Sequence, residues 1–199
     1  MIGVALILIF PLLGFEALGT KSTENVDQGR VIQFDNAKGI ISVILNKNAD
    51  HLNSEYRSLP PMTYTLPEAT QAIGYIPKAG LRLKLDPKNH EIVIFDKASQ
   101  GFKTLNYALI DQKENIAKNN PLVLENGKPK KFPVIDKEKN LVNIYSERQR
   151  ILTTFALPAK YLSLPEYTWG AGDEVLIHYK KDGQTRRVTK IVKIGFING

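Results

Sequence analysis

The chain can be laid over itself. VIQFDNAKGIISVI, from Val31, aligns without a gap on FPVIDKEKNLVNIY, from Phe132. Asp35 falls on Asp136, Lys38 on Lys139, and Ile40, Ile41 and Val43 on Leu141, Val142 and Ile144. Further on, TYTLP (63–67) matches TFALP (154–158), and Gly80, opening GLRLKL, matches Gly172, opening GDEVLI. Coinciding apolar periods can produce one such segment by chance, but three in the same order at nearly equal spacing mark an internal duplication. A unit of about 70 residues is therefore folded twice, and its needs set the architecture.

Within each copy, short runs alternate apolar and polar residues between prolines and glycines, the pattern of half-buried strands. The expected strands are Arg30–Phe34, Ile40–Ile44, Met62–Leu66, Leu81–Leu85 and Glu91–Phe95 in the first copy. In the second they are Phe132–Ile135, Leu141–Tyr145, Leu152–Leu157, Glu174–Tyr179 and Thr185–Ile194. A sheet of five short antiparallel strands leaves two open edges unless it closes, and closure gives a small barrel of the OB type. The predicted fold is all-β: two five-stranded OB-like barrels in tandem, over residues 21–99 and 131–199, behind an N-terminal apolar helix. Residues 100–130, rich in Lys, Asn, Gln and Pro, read as a connector with a helical stretch around Ala108–Ala117. In the last barrel Val175, Ile177 and Tyr179 are expected to face inward, leaving Glu174, Leu176 and His178 outside.

Residues 1–20 form a segment of their own, because MIGVALILIFPLLGF carries no charge. A helix running to Gly19 spans about 28 Å, close to the roughly 30 Å hydrocarbon core of a bilayer. Two readings stand: a retained transmembrane anchor, or a secretory signal cleaved after the small residues Ala17 and Gly19. A buried core helix would show an amphipathic stripe, which this segment lacks. The anchor is preferred, and both readings place the rest of the chain outside the cytoplasm, in a bacterial cell envelope. The first basic residue, Lys21, follows the segment, against the positive-inside rule.

Charge and residue usage narrow the chemistry. An excess of 27 Lys+Arg over 20 Asp+Glu, net +7, favours acidic partners such as lipid head groups, nucleic acid or an acidic protein surface. These cations are spread along the chain, as on an ordinary solvated surface. Without cysteine there is no disulfide, thiolate metal site or Cys nucleophile. His51, His90 and His178 lie far apart, with no HExxH pair, nucleophile elbow or glycine-rich phosphate loop. The chain reads as a non-enzyme.

The repeated motifs resemble those of the CusF-like periplasmic copper-binding domains, small five-stranded OB-type barrels. GRVIQFD, GIISV, LPPMTYTL and GLRLKL follow that family's outline in the first copy, and PVID, LVNIY, LTTFALP, GDEVLIHY and VTKIVKI follow it in the second. The resemblance implies a Cu(I) site made of one histidine, two methionines and a capping tryptophan. Carried over, His51 takes the histidine place and Met62 the first methionine place, while Leu59 stands for the tryptophan and Tyr64 for the second methionine. In the second copy Arg150 stands at the tryptophan place, and Thr153 and Phe155 at the methionine places. One thioether and one imidazole make a weak Cu(I) site without a third donor or the aromatic cap.

The expected function is therefore that of a non-catalytic, membrane-anchored accessory protein, a subunit or scaffold that docks on a membrane-protein partner. Tyr167 and Trp169, in SLPEYTWG, are the candidate contact residues, since aromatic anchors dominate interfaces. One alternative is a periplasmic Cu(I) carrier using His51 and Met62. Another is a single-strand nucleic-acid binder stacking bases on Tyr145 and Tyr161 beside Arg148 and Arg150, which the export segment argues against.

Overall fold

The computed structural model describes residues 24–47, 56 and 60–194. Its first strands are β1 (Asn25–Asp35), β2 (Ile40–Leu45), β3 (Met62–Thr65), β4 (Arg82–Asp86) and β5 (Glu91–Asp96). The middle of the chain gives β6 (Gly101–Asn106), β7 (Ala108–Lys113), β8 (Leu124–Glu125) and β9 (Lys128–Pro129). The remainder is β10 (Val134–Asp136), β11 (Leu141–Ser146), β12 (Ile151–Ala156), the one-turn helix α1 (Ala159–Leu162), β13 (Glu174–Asp182) and β14 (Thr185–Lys193). All ten expected strands form. The apolar segment at residues 1–20 lies outside the described residues, and among those described no helix is long and apolar enough to cross a membrane.

The duplication is visible in the hairpins. Between β1 and β2 the Asp35 carboxylate accepts the Lys38 N–H at 3.0 Å, and Gly39 takes a left-handed φ of 62°. Between β10 and β11 the Asp136 carboxylate accepts the Lys139 N–H at 3.0 Å, with Asn140 at φ 57°. Asparagine is one of the few residues besides glycine that enter this region readily. Strand register follows the alignment: Ile41 pairs with Tyr64 and Val142 with Phe155.

Assembly of these strands departs from two tandem barrels. The closed five-stranded barrel runs β1–β13–β14–β3–β2 and back to β1. Strands β1, β2 and β3 come from the first copy, and β13 and β14 from the second. Val31, Ile41, Val43, Tyr64, Val175, Ile177 and Ile191 fill its interior. The complementary strands make a second core, where the sheet β4–β5–β6 packs on the sheet β10–β11–β12–β7. Leu85, Ile92, Ile94 and Leu105 meet Val142, Ile144, Phe155 and Trp169 there. The copies have exchanged their fourth and fifth strands, so neither span 21–99 nor span 131–199 contains its own barrel.

Apolar side chains on the second face of these strands give the reason. Ile32 and Ile44 point out of the barrel and are buried against Leu81, Leu83 and Phe95 from β4, β5 and the residue before β4. Each such side chain, left in water by two separate barrels, contributes about 1.5–3 kcal/mol when buried. Exchange frees β4 and β5 of the first copy from the barrel and lays them on its outer wall, against β1 and β2 of the same copy.

The two segments leading into β4 and β13 cross at Gly80 and Gly172, the equivalent glycines of the repeat. A Cβ on Gly172 would lie 1.9 Å from the Val31 carbonyl oxygen, and one on Gly80 would lie 2.3 Å from the Gly170 carbonyl oxygen. Only glycine permits this approach. Backbone hydrogen bonds lace the crossing: Gly80 N–H to Val31 O at 3.1 Å, Val31 N–H to Asp173 O at 3.0 Å, and Asp173 N–H to Lys78 O at 2.9 Å.

The expected connector is also structured. Residues Ala108–Ala117, expected to be helical, hold β7 instead, which pairs with β12. Helix propensity there yields to the ladder offered by the outer edge of β12. β6 likewise extends the β4–β5 hairpin, with Leu105 and Tyr107 buried in the second core.

Candidate functional site

Beside the crossing lies a cleft of about 470 Å³, between the barrel wall, β4 and the turn after β11. Arg30 of β1, Arg82 of β4 and Glu174 of β13 stand at its base, all nearly buried. Glu174 opens β13, two residues past Gly172. It points off the barrel as strand alternation requires, yet it is only 5% exposed, because β4 covers that face. Its place outside the barrel is as expected from the alternation; its burial there comes from β4.

Glu174 is saturated by internal donors. Arg30 Nε donates to its Oε2 at 3.2 Å, Asn46 Nδ2 donates to its Oε1, and the Tyr56 hydroxyl reaches Oε2 at 3.4 Å. Arg30 also reaches the Leu83 carbonyl at 3.4 Å and lies 5.4 Å from the centre of the Tyr56 ring. Arg82 is 8% exposed, and its Nε donates to the Trp169 carbonyl oxygen at 2.9 Å. Burial, with the Arg30 and Arg148 guanidiniums nearby, pulls Arg82 down to about 9, so it remains a cation at neutral pH.

At the mouth, Asp173 ties the crossing to the rim. Its carboxylate accepts the Lys78 N–H and the Tyr75 hydroxyl, each at 2.7 Å, and pairs with Lys193 at 2.9 Å. Burial alone would raise this carboxyl, but the Lys78 N–H, Lys193 and Tyr75 together outweigh it and hold Asp173 below the ordinary aspartate range. A second cavity of about 640 Å³ shares Arg82, Lys118, Tyr145 and Glu147 with the cleft and continues over Phe132, Pro133 and Trp169. The arrangement can hold negative charge at one end and an apolar body at the other. It holds no pair of groups within reach of each other that resembles a nucleophile and its base among the contacts described.

The residues expected from the sequence fall elsewhere. Met62 opens β3 opposite Val43 and packs against the barrel core. His51 lies outside the described residues. Tyr64, at the second methionine place, is buried and donates its hydroxyl to Asp27 at 2.6 Å, and burial followed by that contact raises its ionisation far above the ordinary tyrosine value. Among the described residues there is no group of three or more His, Asp or Glu side chains placed to hold a metal ion. Trp169 is 0% exposed, filling the second core, and so offers no ring to a partner, a correction to its expected role. Its indole N–H has no hydrogen-bond partner among the described residues. Tyr167 is 42% exposed under the Lys97 ammonium, 5.2 Å from the ring centre.

One surface stands out besides the cleft. β7 is the edge of its sheet, and its pairing with β12 skips Ile110, which leaves Leu109 and Ile110 exposed. Phe102, on β6 at the edge of the other sheet, is exposed as well. A bulge of this kind re-aims a side chain away from the sheet.

Sequence reasoning missed Arg30, Arg82 and Glu174. A signal existed: each is a charge set directly against an apolar run, as in RVI, LRL and EVLI. What could not be read was that Arg30 and Glu174 meet across 144 positions of chain.

These features define the class: an all-β protein with a closed five-stranded barrel, its sheets exchanged between two repeats, and a basic cleft at the crossing. The chain belongs to the family described as a domain of unknown function, DUF4881, which matches residues 22–197. No curated protein and no solved structure matches it.

Proposed function

We propose that the protein is a non-catalytic accessory subunit of the bacterial cell envelope, tethered by residues 1–19 and docking on a membrane-protein partner. In this reading the chain derives from a duplicated CusF-like unit, kept as an interaction scaffold. The observation that carries it is the edge strand β7, where Leu109 and Ile110 are exposed beside unpaired backbone groups of the sheet edge. The Asp111–Lys113 ion pair guards the second half of β7, whereas Ala108–Ile110 carry no charge, and an uncharged stretch of open ladder pairs readily with another strand. An extended segment of a partner can add to β7 through main-chain hydrogen bonds, with Leu109 and Ile110 entering apolar pockets on the partner.

The test is site-specific photo-crosslinking from position 110 in native membranes, using the full chain. The reading expects one crosslinked partner, which also co-purifies after mild detergent extraction and is lost in Ile110→Lys. A monodisperse monomer without crosslinks, or a partner retained by Ile110→Lys, would count against it.

A further inference from the structure

We propose that the tip of the β13–β14 hairpin docks on the anionic phospholipid surface of the membrane that holds the chain, through Lys180, Lys181 and Arg187, with Arg186 beside them. The tether of the proposed function sets the orientation, and the charge pattern belongs to the hairpin alone.

The first ground is how the cations are set. Lys180 lies directly opposite Arg187 and Lys181 directly opposite Arg186, so two like-charge pairs follow each other along the ladder. Like charges placed opposite each other weaken a strand pair. The turns of the repeat are balanced by contrast: Lys38 pairs with Asp35 at 3.4 Å and Lys139 with Asp136 at 3.8 Å. At the hairpin tip the four cations meet one carboxylate, Asp182, 3.7 Å from Arg187, which leaves a net three positive charges over residues 180–187. Lys180, Lys181 and Arg187 are exposed, and Arg186 is half-buried beside Tyr179. An anionic surface supplies the counter-charge that the ladder lacks.

The second ground is where the tip sits. β1 begins at Asn25, opposite Tyr179, and β13 runs on past it through Lys180–Asp182. Because the two strands are antiparallel, this overhang of about 10 Å points back towards the residues that precede β1. Glu24 already lies on the hairpin, accepting the Thr189 hydroxyl at 2.5 Å and standing 3.6 Å from His178. Residues 20–24 span at most about 18 Å when fully extended. Less the overhang, about 8 Å remains between the tip and the head groups of an anchored chain, one Debye length at physiological ionic strength. At that range an anionic leaflet attracts each Lys and Arg.

The third ground separates lipid from nucleic acid. Residues 180–187 contain no aromatic side chain on which a base could stack, and a convex tip offers no groove to follow a strand.

The chain has no cysteine, so Gln184→Cys gives a single labelling site at the exposed turn, and Asn36→Cys gives a control in the exposed β1–β2 turn. The full chain, carrying a fluorophore at either position, is reconstituted in phosphatidylcholine vesicles with or without phosphatidylglycerol, and quenching by head-group spin-labelled lipid is read. Quenching at position 184 is expected with phosphatidylglycerol, lost in phosphatidylcholine alone and at raised salt, and absent at position 36. In Lys180→Gln with Lys181→Gln and Arg187→Gln, docking should weaken about fivefold per cation, about a hundredfold in all, with the melting temperature unchanged. Equal quenching in the two lipids, equal quenching at 184 and 36, or an unaltered triple variant overturns the proposal. So does retention of a single-stranded oligonucleotide by a chain whose tip is not quenched by phosphatidylglycerol vesicles. Carbonate washing reads the tether separately. A chain released by carbonate yet quenched on added phosphatidylglycerol vesicles loses the tether and keeps the docking tip, whereas a carbonate-resistant chain without quenching keeps the tether and overturns the tip.

Discussion

Gly172→Ala probes the strand crossing at its tightest point. The added Cβ would meet the Val31 carbonyl oxygen at 1.9 Å, the Val31 carbonyl carbon at 2.9 Å and the Gly80 nitrogen at 3.0 Å. All three are backbone atoms, so no side chain can swing aside. Relief requires β1 to part from the crossing by more than an ångström, which breaks the Gly80 N–H to Val31 O bond and the Val31 N–H to Asp173 O bond. Overpacking of this kind costs about 1–3 kcal/mol, and each lost backbone bond about 1 kcal/mol more. The sum is about 3–5 kcal/mol. Gly183→Ala is the control: at φ 59° with nothing within 4 Å, it bears only the left-handed penalty of about 1–2 kcal/mol. Urea unfolding of the full chain, followed by the fluorescence of Trp169 and by far-ultraviolet dichroism, measures both. At a slope of about 2 kcal/mol per molar, Gly172→Ala should lower the midpoint by about 1.5–2.5 M. A loss no larger than that of Gly183→Ala would refute the crossing.

Exchange of strands predicts that residues 21–99 expressed alone remain unfolded by dichroism. Fragments 21–130 and 131–199 produced together should associate, which sedimentation will show. Glu174→Leu leaves Arg30 buried without its partner and should destabilise the chain by about 3–5 kcal/mol, whereas the double change Arg30→Met with Glu174→Leu should recover most of that loss in the same urea assay. Asp173 titrates below the ordinary aspartate value of 3.8 in the folded state. Its stabilising contribution is therefore complete above that value and disappears as pH falls through the lower folded one, so stability should drop below about pH 4. Asp173→Asn should flatten that acid limb of a melting-temperature profile.

Much of the architecture was legible in the residues. Period-two alternation between prolines and glycines located all ten strands, because strand formation answers to neighbours one and two places away. Asp35 and Asp136 marked equivalent hairpin turns for the same local reason. The middle segment was misread where local preference and pairing disagreed: Ala108–Ala117 has helix-favouring residues, and only the edge of β12 made β7 a strand. The candidate site was hardly legible at all. Met62 carried a family signal yet packs into the barrel, and Trp169 looked like an anchor yet fills a core. Arg82, Arg30 and Glu174 acquire meaning only once β4 lies over the barrel wall.

By itself the sequence determined that this chain is a duplicated set of short strands with the same turn chemistry in both copies and glycines at matching places. Tertiary structure decided which copy supplies which strand. Because the repeats are alike, the β13–β14 hairpin and the β4–β5 hairpin present similar edges, and local preference does not distinguish a partner in its own copy from one in the other. The outcome turns on the second faces of the strands, where Ile32 and Ile44 need Leu81, Leu83 and Phe95, and on Gly80 and Gly172, which let the two segments cross. Burial on both faces is a property of the assembled sheets, and no single strand carries it alone.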